Sequence, residues 1–379
     1  MVLFTNFEYI LFLALCVFLF YKVKYEHRSL FLFTSGLIFY TYYAGWYFLL
    51  ILAEARAYFL AKYKNKYFFV ISIIISVSIL AYFKNSSLLL PADYFPQLAI
   101  PLGISFFTFE FIHYLTDAHK GKIENPNLKD HLAFVFFFPT MLAGPIKRYQ
   151  QFVPQILTSE FNLDNILAGI LRILIGFFKK IVLADTLALL TENLVHREFI
   201  LSLDPIDLAL RLLAFGFQIY LDFSAYSDVA LGSAKLFGIT IPENFNWPYF
   251  ARNAADFWRR WHISLMSWFR DYVYKPLGGS REGIFVTIVN ILIIMHISGI
   301  WHGSGLNYLL WGSYHGIFLV IYHVYKKINL PEWPRIISIP LTFLIVNLGW
   351  AFFATKGTDG FILIRRILSA GFEELMNII

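Results

Sequence analysis

The chain consists of long runs of apolar residues that short polar segments separate. The apolar runs cover residues 9–21, 30–60, 67–83, 98–116, 132–143, 166–190, 208–237, 284–300, 306–325, 336–353 and 361–368. A transmembrane helix needs about 20 apolar residues, so most of these runs predict helices that cross a membrane. They lack the alternation of apolar and polar positions that membrane β-barrels show. The pattern therefore predicts an all-α polytopic membrane protein.

Two runs do not have the length of a single crossing. The run over residues 30–60 is too long for one helix and has Gly45 near its middle, so it predicts two helices that return to the same side of the membrane. The run over residues 132–143 is too short to cross and ends at Gly144-Pro145, which indicates a re-entrant element. Irregular backbone at membrane depth must be buried in protein or line a water-filled cavity. We therefore expect a cavity rather than a plain helical bundle.

The composition changes this picture little but excludes a soluble domain. Of the 379 residues, 58% are apolar and 15% are charged, whereas soluble domains have about 45–50% apolar and about 25% charged residues. Trp, Tyr and Phe together make up 20% of the chain. The excess of apolar side chains has to face lipid. We expect residues 1–379 to form a single membrane-embedded domain.

The charges indicate how the chain is oriented. Basic residues cluster in polar segments that fall on one predicted face of the membrane, namely Lys22, Lys24, Arg28, Lys62, Lys64, Lys66, Lys120, Lys122 and Lys129. Cytoplasmic loops are enriched in Lys and Arg, so the net charge of +6 indicates topology rather than a nucleic-acid partner. The N-terminus is predicted to lie outside. The first run has no basic residue before it and no small-residue cleavage site after it, which favours a retained helix over a secretory signal.

Residues 239–283 form a polar segment that is rich in Trp, Phe, Arg and Asp. Helical spacing separates an apolar face, Phe257, Trp261, Ser264, Leu265 and Trp268, from the arginines Arg259, Arg260 and Arg270. One interpretation is an amphipathic helix at the cytoplasmic interface, and the other is a functional site that includes His262. Gly278-Gly279 lacks the spacing of a phosphate-binding loop and predicts a turn.

A second candidate site lies in the glycine-rich apolar segment over residues 291–316. A charged side chain at the centre of a membrane helix costs about 2.5–3.5 kcal/mol, so an ionisable residue there is by default a functional-site hypothesis. His302 follows Trp301 and precedes Gly303, where the apolar helix gives way to a break that exposes a side chain to a cavity. The alternative is a structural histidine that bonds a neighbouring carbonyl group.

The remaining histidines and the single cysteine offer no metal site. His296 and His302 are six positions apart, so they point to different faces of a helix, and no acidic residue lies nearby. Cys16 is the only cysteine, which excludes an internal disulfide and a Cys-based zinc site. His315 and His323 are interpreted as structural.

Several sequence blocks resemble, in order, the motifs of the membrane-bound O-acyltransferase (MBOAT) family. The blocks are PLGISFFTFE (101–110), FFFPTMLAGPIKR (136–148), GFFKKIVLAD (176–185), QIYLDFSAYSDVALGSAKLFGI (218–239), the segment 244–281 and ISGIWHGSGLNYLLWGSYHG (297–316), so the core motifs cover about 100–316. The chain is similar to the bacterial branch that acetylates alginate or transfers D-alanine, and the PLGGSR turn resembles the alginate proteins more. The resemblance implies an MBOAT-type helical bundle, with re-entrant and interfacial helices around a central funnel or tunnel, in the bacterial cytoplasmic membrane.

The resemblance also implies a reaction and its residues. A thioester-bound acyl group arrives from the cytoplasm and an acceptor hydroxyl from outside; His302 corresponds to the family's WHG histidine and His262 to its RWH histidine. Because the pKa of histidine is about 6.5, it suits a base that works near neutral pH. We expect His302 to take the acceptor proton and His262 to position the thioester or support the developing charge. Candidate substrate-binding residues are Trp258, Arg259, Arg260, Arg270, Asp271 and Trp301, and candidates for the donor phosphates are Arg259, Arg260, Lys275 and Arg281.

The predicted function is transfer of an acyl group, acetyl in preference to others, to a cell-wall or exopolysaccharide hydroxyl. The donor is acetyl-CoA or the phosphopantetheine of an acyl carrier, no cofactor or metal is permanently bound, and the acceptor is a polysaccharide or an extracytoplasmic partner of the SGNH type. D-Alanyl transfer to teichoic acid is the first alternative. A transporter or flippase would show inverted repeats, and none is visible. A non-catalytic scaffold would tolerate the loss of His302.

Overall fold

The computed structural model describes residues 4–55, 65–89 and 100–378, with side chains at all of these positions except 86–89 and 370–378. Lys62 and Lys64 lie outside this part. Every regular element in the described part is helical. Four segments are long and apolar enough to cross a membrane, namely Tyr25–Glu54, Lys66–Asn85, Ile284–His302 and Arg335–Ala354. The prediction of an all-α polytopic membrane protein is confirmed.

The helices follow the predicted apolar runs. In chain order they are α1 (Phe7–Phe20), α2 (Arg28–Ala44), α3 (Phe48–Glu54), α4 (Lys66–Leu89), α5 (Ile104–His119), α6 (Leu128–Val135), α7 (Phe138–Met141), α8 (Tyr149–Thr158), α9 (Leu163–Phe177), α10 (Asp185–Thr191), α11 (Arg197–Ser202), α12 (Pro205–Leu236), α13 (Ala254–Arg260), α14 (Ile263–Phe269), α15 (Ile284–His302), α16 (Leu306–Lys327), α17 (Arg335–Ala354) and α18 (Asp359–Ile378). Two helices continue into π-helical segments, α9 into Phe178–Ala184 and α14 into Arg270–Tyr274.

Glycine interrupts the first long apolar run. Helix α2 ends at Ala44, and Gly45 adopts a φ of 57°, which glycine tolerates because it has no β-carbon. A short 3-10 turn follows, and α3 begins at Phe48. The predicted break at Gly45 is confirmed. A return of the second helix to the same side would involve residues 56–64, which lie outside the described residues.

The short run over residues 132–143 contains no single spanning helix. Helix α6 ends at Val135, α7 has only four residues, and the chain is irregular from there to the start of α8. Helix α2 packs directly against this break, since a β-carbon on Gly36 would lie 1.7 Å from the carbonyl oxygen of Phe136. The sequence predicts a re-entrant element here, and the broken helix has the local geometry that such an element needs.

The chain divides into two compact units. The first comprises Met1–Phe178 and Ser224–Asn244, and the second comprises Lys179–Phe223 and Phe245–Ile379. Helix α12 contributes its beginning to the second unit and its end to the first. All the site residues that the sequence predicts belong to the second unit.

A buried polar network holds the irregular segment of the first unit. The Lys147 ammonium donates to the Glu110 carboxylate at 2.5 Å, and both side chains are almost completely buried. The backbone N–H of Tyr149 donates to Nε2 of His113 at 2.9 Å, and Nδ1 of His113 lies 3.4 Å from Asp117. Removing one partner of a buried ion pair typically costs about 3–5 kcal/mol. The network therefore fixes α5 against the chain that leads into α8.

Helices α15 and α16 of the second unit pack backbone to backbone. A β-carbon on Gly299 would lie 2.4 Å from the carbonyl oxygen of Tyr308, and one on Gly312 would lie 2.4 Å from that of Met295. The glycines of this segment thus allow the two helices to form a close hairpin. The hairpin fixes the position of residues 303–305, which connect the two helices.

Candidate active site

His302 is the last residue of α15, at the connection to α16. The helix ends because Gly303 is fully extended, and α16 begins three residues later at Leu306. A β-carbon on Gly303 would lie 2.5 Å from the Tyr308 ring, so glycine lets the connection pack against that ring. The structure thus places His302 at the helix end that the glycine-rich break predicts.

Aromatic rings surround the His302 imidazole. The ring centroids of Trp311 and Phe353 lie 5.0 Å from that of His302, both nearly perpendicular to it, and the adjacent Trp301 ring lies at 4.5 Å. The His302 side chain is only partly buried, whereas Trp311 is 1% exposed. The rings fix the orientation of the imidazole and leave part of it accessible.

His262 joins the short helices α13 and α14 in a left-handed conformation. Its φ is 46° and its ψ is 50°, values that cost a non-glycine residue about 1–2 kcal/mol. The side chain is 3% exposed, and its ring packs edge-on against Phe223 with 4.6 Å between centroids. His262 lies outside the four candidate spans, and burial lowers its pKa well below the usual value. The imidazole is therefore neutral at pH 7.

The Trp301 indole lies between the two histidines. Its ring centroid is 6.1 Å from that of His262 and 4.5 Å from that of His302. Two candidates that are 40 positions apart in the sequence are thus neighbours of one side chain. The structure brings together His262, Trp301 and His302.

A second tryptophan extends this cluster. Trp258 on α13 is buried and packs edge-on against Trp311, with 5.7 Å between centroids. Trp311 also contacts His302, so the Trp258 side chain reaches the candidate base through one intervening ring. The rings of Trp311, Phe353 and Phe223 are site residues that the sequence analysis missed. Phe353 and Phe223 lie in ordinary apolar runs, and the helical spacing of Trp311 gives no signal that it faces His302.

Two further histidines of this unit have structural environments. His296 lies between the Leu292 carbonyl oxygen, 2.6 Å from Nδ1, and the Ser313 hydroxyl, 2.9 Å from Nε2, so it links α15 to α16. His315 is buried among Trp258, Trp311 and Trp350. Nε2 of His315 has no hydrogen-bond partner among the described residues, so its structural interpretation stays a prediction. The described residues contain no group of three or more His, Cys, Asp or Glu side chains that could hold a metal ion.

The Asp256 carboxylate organises the arginines of α13. It accepts from Nε of Arg260 at 3.1 Å and from the backbone N–H of Arg252 at 3.1 Å, and it lies 3.6 Å from Arg259. Burial alone would raise the pKa of Asp256, but the N–H of Arg252 and the Arg260 guanidinium together lower it. The Arg260 guanidinium group is therefore paired with Asp256 in the same helix, whereas the Arg259 side chain is 68% exposed.

A similar set of ion pairs lies directly after α14. The Asp271 carboxylate accepts from Lys275 at 2.8 Å and from Arg270 at 3.2 Å. Burial would raise the pKa of Asp271, but the hydrogen bonds from Lys275 and Arg270 lower it. Asp271 thus acts as the anionic partner of two cations.

Three of the predicted substrate-binding residues line one cavity. The cavity has a volume of about 350 Å³ and is lined by Trp258, Arg259 and Arg270, together with apolar side chains such as Met266 and Met295. Arg260 and Asp271 are not among its lining residues. The cavity combines two exposed guanidinium groups with an apolar wall, and Trp258 connects that wall to the ring cluster around His302.

Comparison with known proteins identifies relatives. Residues 58–354 match the model of MBOAT, the membrane-bound O-acyltransferase family. The chain is 40% identical over 265 residues to the probable alginate O-acetylase AlgI of Pseudomonas aeruginosa, a match that covers 69% of this chain and 50% of the relative. It is 34% identical over 330 residues to the peptidoglycan O-acetyltransferase of Helicobacter pylori, with 76% and 62% covered. It is 33% identical over 279 residues to the teichoic acid D-alanyltransferase of Bacillus subtilis, with 67% and 69% covered.

The family match includes the whole candidate site. It extends from residue 58 to residue 354 and so contains His262, Trp301, His302 and the rings around them. The chain spans about half the length of the alginate relatives that it matches. Because the family model covers most of the chain, the chain belongs to the membrane-bound O-acyltransferase family.

Proposed function

We propose that the chain is an O-acyltransferase that moves an acetyl group from a cytoplasmic thioester donor to a hydroxyl acceptor outside the membrane. The product is a modified cell-wall polymer or exopolysaccharide. One observation carries the proposal, namely the arrangement of His262 and His302 around the Trp301 ring in a member of this family. Relatives named as O-acetylases of alginate and of peptidoglycan support acetyl as the transferred group.

His302 acts as the general base. As the acceptor oxygen bonds to the thioester carbonyl carbon, the imidazole takes the hydroxyl proton. Collapse of the tetrahedral intermediate breaks the carbon–sulfur bond, and the imidazolium returns the proton to the leaving thiolate. The products are an ester and a free thiol. The position of His302 at the helix end, partly accessible among fixed rings, suits this role.

His262 acts on the thioester. Its neutral imidazole positions the carbonyl group or donates a hydrogen bond to the oxygen on which negative charge develops. A donor that is preorganised in a buried site stabilises such charge strongly. The left-handed backbone and the contact with Phe223 hold the ring in place before the substrate arrives.

The donor enters through the cavity that Arg259 and Arg270 line. Guanidinium groups form charge-assisted hydrogen bonds with phosphate oxygens, so these side chains receive the phosphates of coenzyme A or of a carrier's phosphopantetheine. Arg260, Lys275 and Arg281 are not among the residues that line this cavity, so they are less suited to that role. The acyl group then extends past Trp258 toward the histidines.

The orientation of the chain and the acceptor complete the proposal. The protein resides in the bacterial cytoplasmic membrane, with its N-terminus outside and its basic segments in the cytoplasm. The acceptor is the polysaccharide itself or an SGNH-type extracytoplasmic transferase that relays the acetyl group.

The test measures acetyl transfer in membranes that contain the full chain. The His302→Ala variant should lose about 10²–10⁴-fold in rate from labelled acetyl-CoA or an acetyl-carrier thioester, the usual contribution of a general base. The matched control is His196→Ala, because His196 is an exposed histidine of the same unit. Wild-type activity in a normally folded His302→Ala variant would contradict the proposal and favour a scaffold. A protein that transports the donor and forms no ester would favour a transporter.

D-Alanyl transfer is the second candidate, which the similarity to a teichoic acid D-alanyltransferase favours. The same membranes are supplied in parallel with acetyl and D-alanyl thioesters of one carrier. We expect the acetyl group to be transferred faster. A preference for the D-alanyl thioester would replace the substrate assignment and leave the roles of the histidines unchanged.

A further inference from the structure

The second unit contains a larger cavity of about 700 Å³, which shares Trp258 and Arg259 with the cavity proposed for the donor. Its walls are formed by α13, by the last turns of α16, by the first turns of α17 and by the connection between those two helices. The buried rings of Phe257, Trp258 and His315 also line it. Its two ends differ in chemistry.

The rim of the cavity is basic. Arg252, Arg259, Lys326 and Arg335 line it, and Glu332 is the one carboxylate among its lining residues. Lys326 lies in the last turn of α16 and Arg335 is the first residue of α17, so both cations lie at the same end of two adjacent helices. Glu332 pairs with Lys326 at 2.9 Å. The rim therefore keeps a positive excess that suits an anion.

Aromatic side chains lie at the same level as the basic rim. Tyr322, Tyr325 and Trp333 line the cavity near the connection between α16 and α17. Tyr and Trp are enriched where a membrane helix meets the headgroup layer. The rim thus has the composition of a membrane interface.

The walls below the rim combine aliphatic side chains with the hydroxyl groups of Ser338 and Thr342, and they open toward lipid. Ile321 on α16 and Leu341 on α17 line the cavity and are 54% and 41% exposed. Helix α17 is apolar enough to cross a membrane, so its exposed aliphatic side chains face the bilayer. Ile345 and Val346 continue the wall inward. A ligand can therefore enter sideways from the membrane.

We propose that this cavity binds an anionic phospholipid from the bilayer. Lys326 and Arg335 hold the phosphate group, the tyrosines and Trp333 surround the glycerol region, and one acyl chain lies along Ile321, Leu341 and Ile345. A basic rim above an aliphatic wall that opens to lipid matches the two halves of such a molecule. A water-soluble phosphate compound matches the rim only. The site shares Trp258 and Arg259 with the cavity proposed for the donor, whereas Lys326, Arg335 and the aliphatic side chains of Ile321 and Leu341 line this cavity alone.

The test uses native mass spectrometry of the purified full chain after equilibration with equal amounts of palmitoyl-oleoyl phosphatidylglycerol and phosphatidylcholine. The wild type should retain phosphatidylglycerol in preference to phosphatidylcholine. The Lys326→Gln/Arg335→Gln variant should lose that preference by roughly 25-fold, because a basic side chain near a membrane contributes about fivefold in affinity. The control is Lys327→Gln/Lys356→Gln, which removes the same charge at exposed positions that do not line the cavity. Equal effects of both variants would overturn the assignment.

The aliphatic wall is tested separately. Ile345→Trp fills the cavity without changing the rim and should remove the retained lipid, whereas Leu344→Trp places the same side chain at an exposed position that does not line it. Thermal unfolding of each variant shows that it is folded. Unchanged retention in Ile345→Trp would contradict an acyl-chain site even if the charge variant did not fold.

Competition distinguishes a lipid from a soluble source of phosphate. The competition uses the Arg259→Gln variant, which removes the guanidinium group shared with the proposed donor cavity. Coenzyme A in tenfold excess should leave the bound phosphatidylglycerol in place, because the cavity opens to lipid along α16 and α17. Displacement by coenzyme A would overturn the lipid assignment and identify the rim as a site for a soluble nucleotide.

Discussion

At His262 the backbone adopts a conformation that the residue type opposes. A left-handed φ brings a β-carbon close to the following carbonyl group, and the strain persists only where the surroundings impose it. Here the surroundings are the rings of Phe223 and Trp301 and the start of α14. The RWH motif identifies the residue in the sequence, but no pattern identifies this conformation, because it results from the packing of two short helices.

The ion pairs of Asp256 predict that its contribution to stability depends on pH. In the folded chain its pKa lies below the unfolded value of about 3.9, so its stabilising contribution is complete at pH 7 and is lost as the pH falls through the folded-state pKa. Asp256→Asn should lower the free energy of unfolding by about 1–3 kcal/mol at pH 7, the usual effect of losing hydrogen bonds to a charged group. The difference from wild type should shrink below about pH 4.

Thermal unfolding in detergent between pH 7 and pH 3 measures this difference. Asp164→Asn is the control, because Asp164 is an exposed carboxylate in the first turn of α9 and takes part in no ion pair between described residues. A constant difference across the pH range would show that the Asp256 carboxylate acts through its shape rather than through its charge.

The α15–α16 hairpin is the element that positions the candidate base. Its helices approach so closely that a methyl group on Gly312 would meet the Met295 carbonyl oxygen at 2.4 Å. On Gly316 the nearest atom would be the flexible end of Leu292, at 3.2 Å. The two glycines are one turn apart and differ mainly in whether backbone or side chain lies opposite.

Gly312→Ala should therefore separate the helices and displace His302, whereas Gly316→Ala should be tolerated. Overpacking a tight core costs about 1–3 kcal/mol, partly offset by the gain in helix propensity of about 1 kcal/mol. We expect a lower melting temperature and a reduced acetyl-transfer rate for Gly312→Ala only. Equal behaviour of the two variants would show that the hairpin does not set the geometry of the site.

The sequence predicts the long helices better than the short ones. The apolar runs at 284–300, 306–325 and 336–353 match α15, α16 and α17 within two residues at each end. The match is close because the hydrocarbon thickness of the membrane sets the length of the apolar run and of the helix alike. The segment over residues 239–283 instead contains α13, the bend at His262, α14 and a π-helical turn. Its shape depends on contacts with rings elsewhere in the unit, and helical spacing alone carries no information about them.

For the whole molecule, the pattern of basic segments predicts the topology. The Cys16→Ser background contains no other thiol, so single cysteines can report their side of the membrane. In intact cells an impermeant maleimide should label Phe7→Cys, at the exposed start of α1, and should label Leu330→Cys only after permeabilisation. The opposite result would invert the orientation and place the basic rim of α16 and α17 outside.

The position of the Trp311 ring has a consequence for mutational studies of this chain. It contacts His302 on one side and Trp258 on the other, so it belongs at once to the environment of the proposed base and to the proposed path of the donor. Substitutions of residues in direct contact rarely have additive effects. The effects of single variants at Trp258, Trp311 and His302 should therefore not add, and double-mutant cycles through Trp311 measure how strongly the proposed proton transfer and donor placement are coupled.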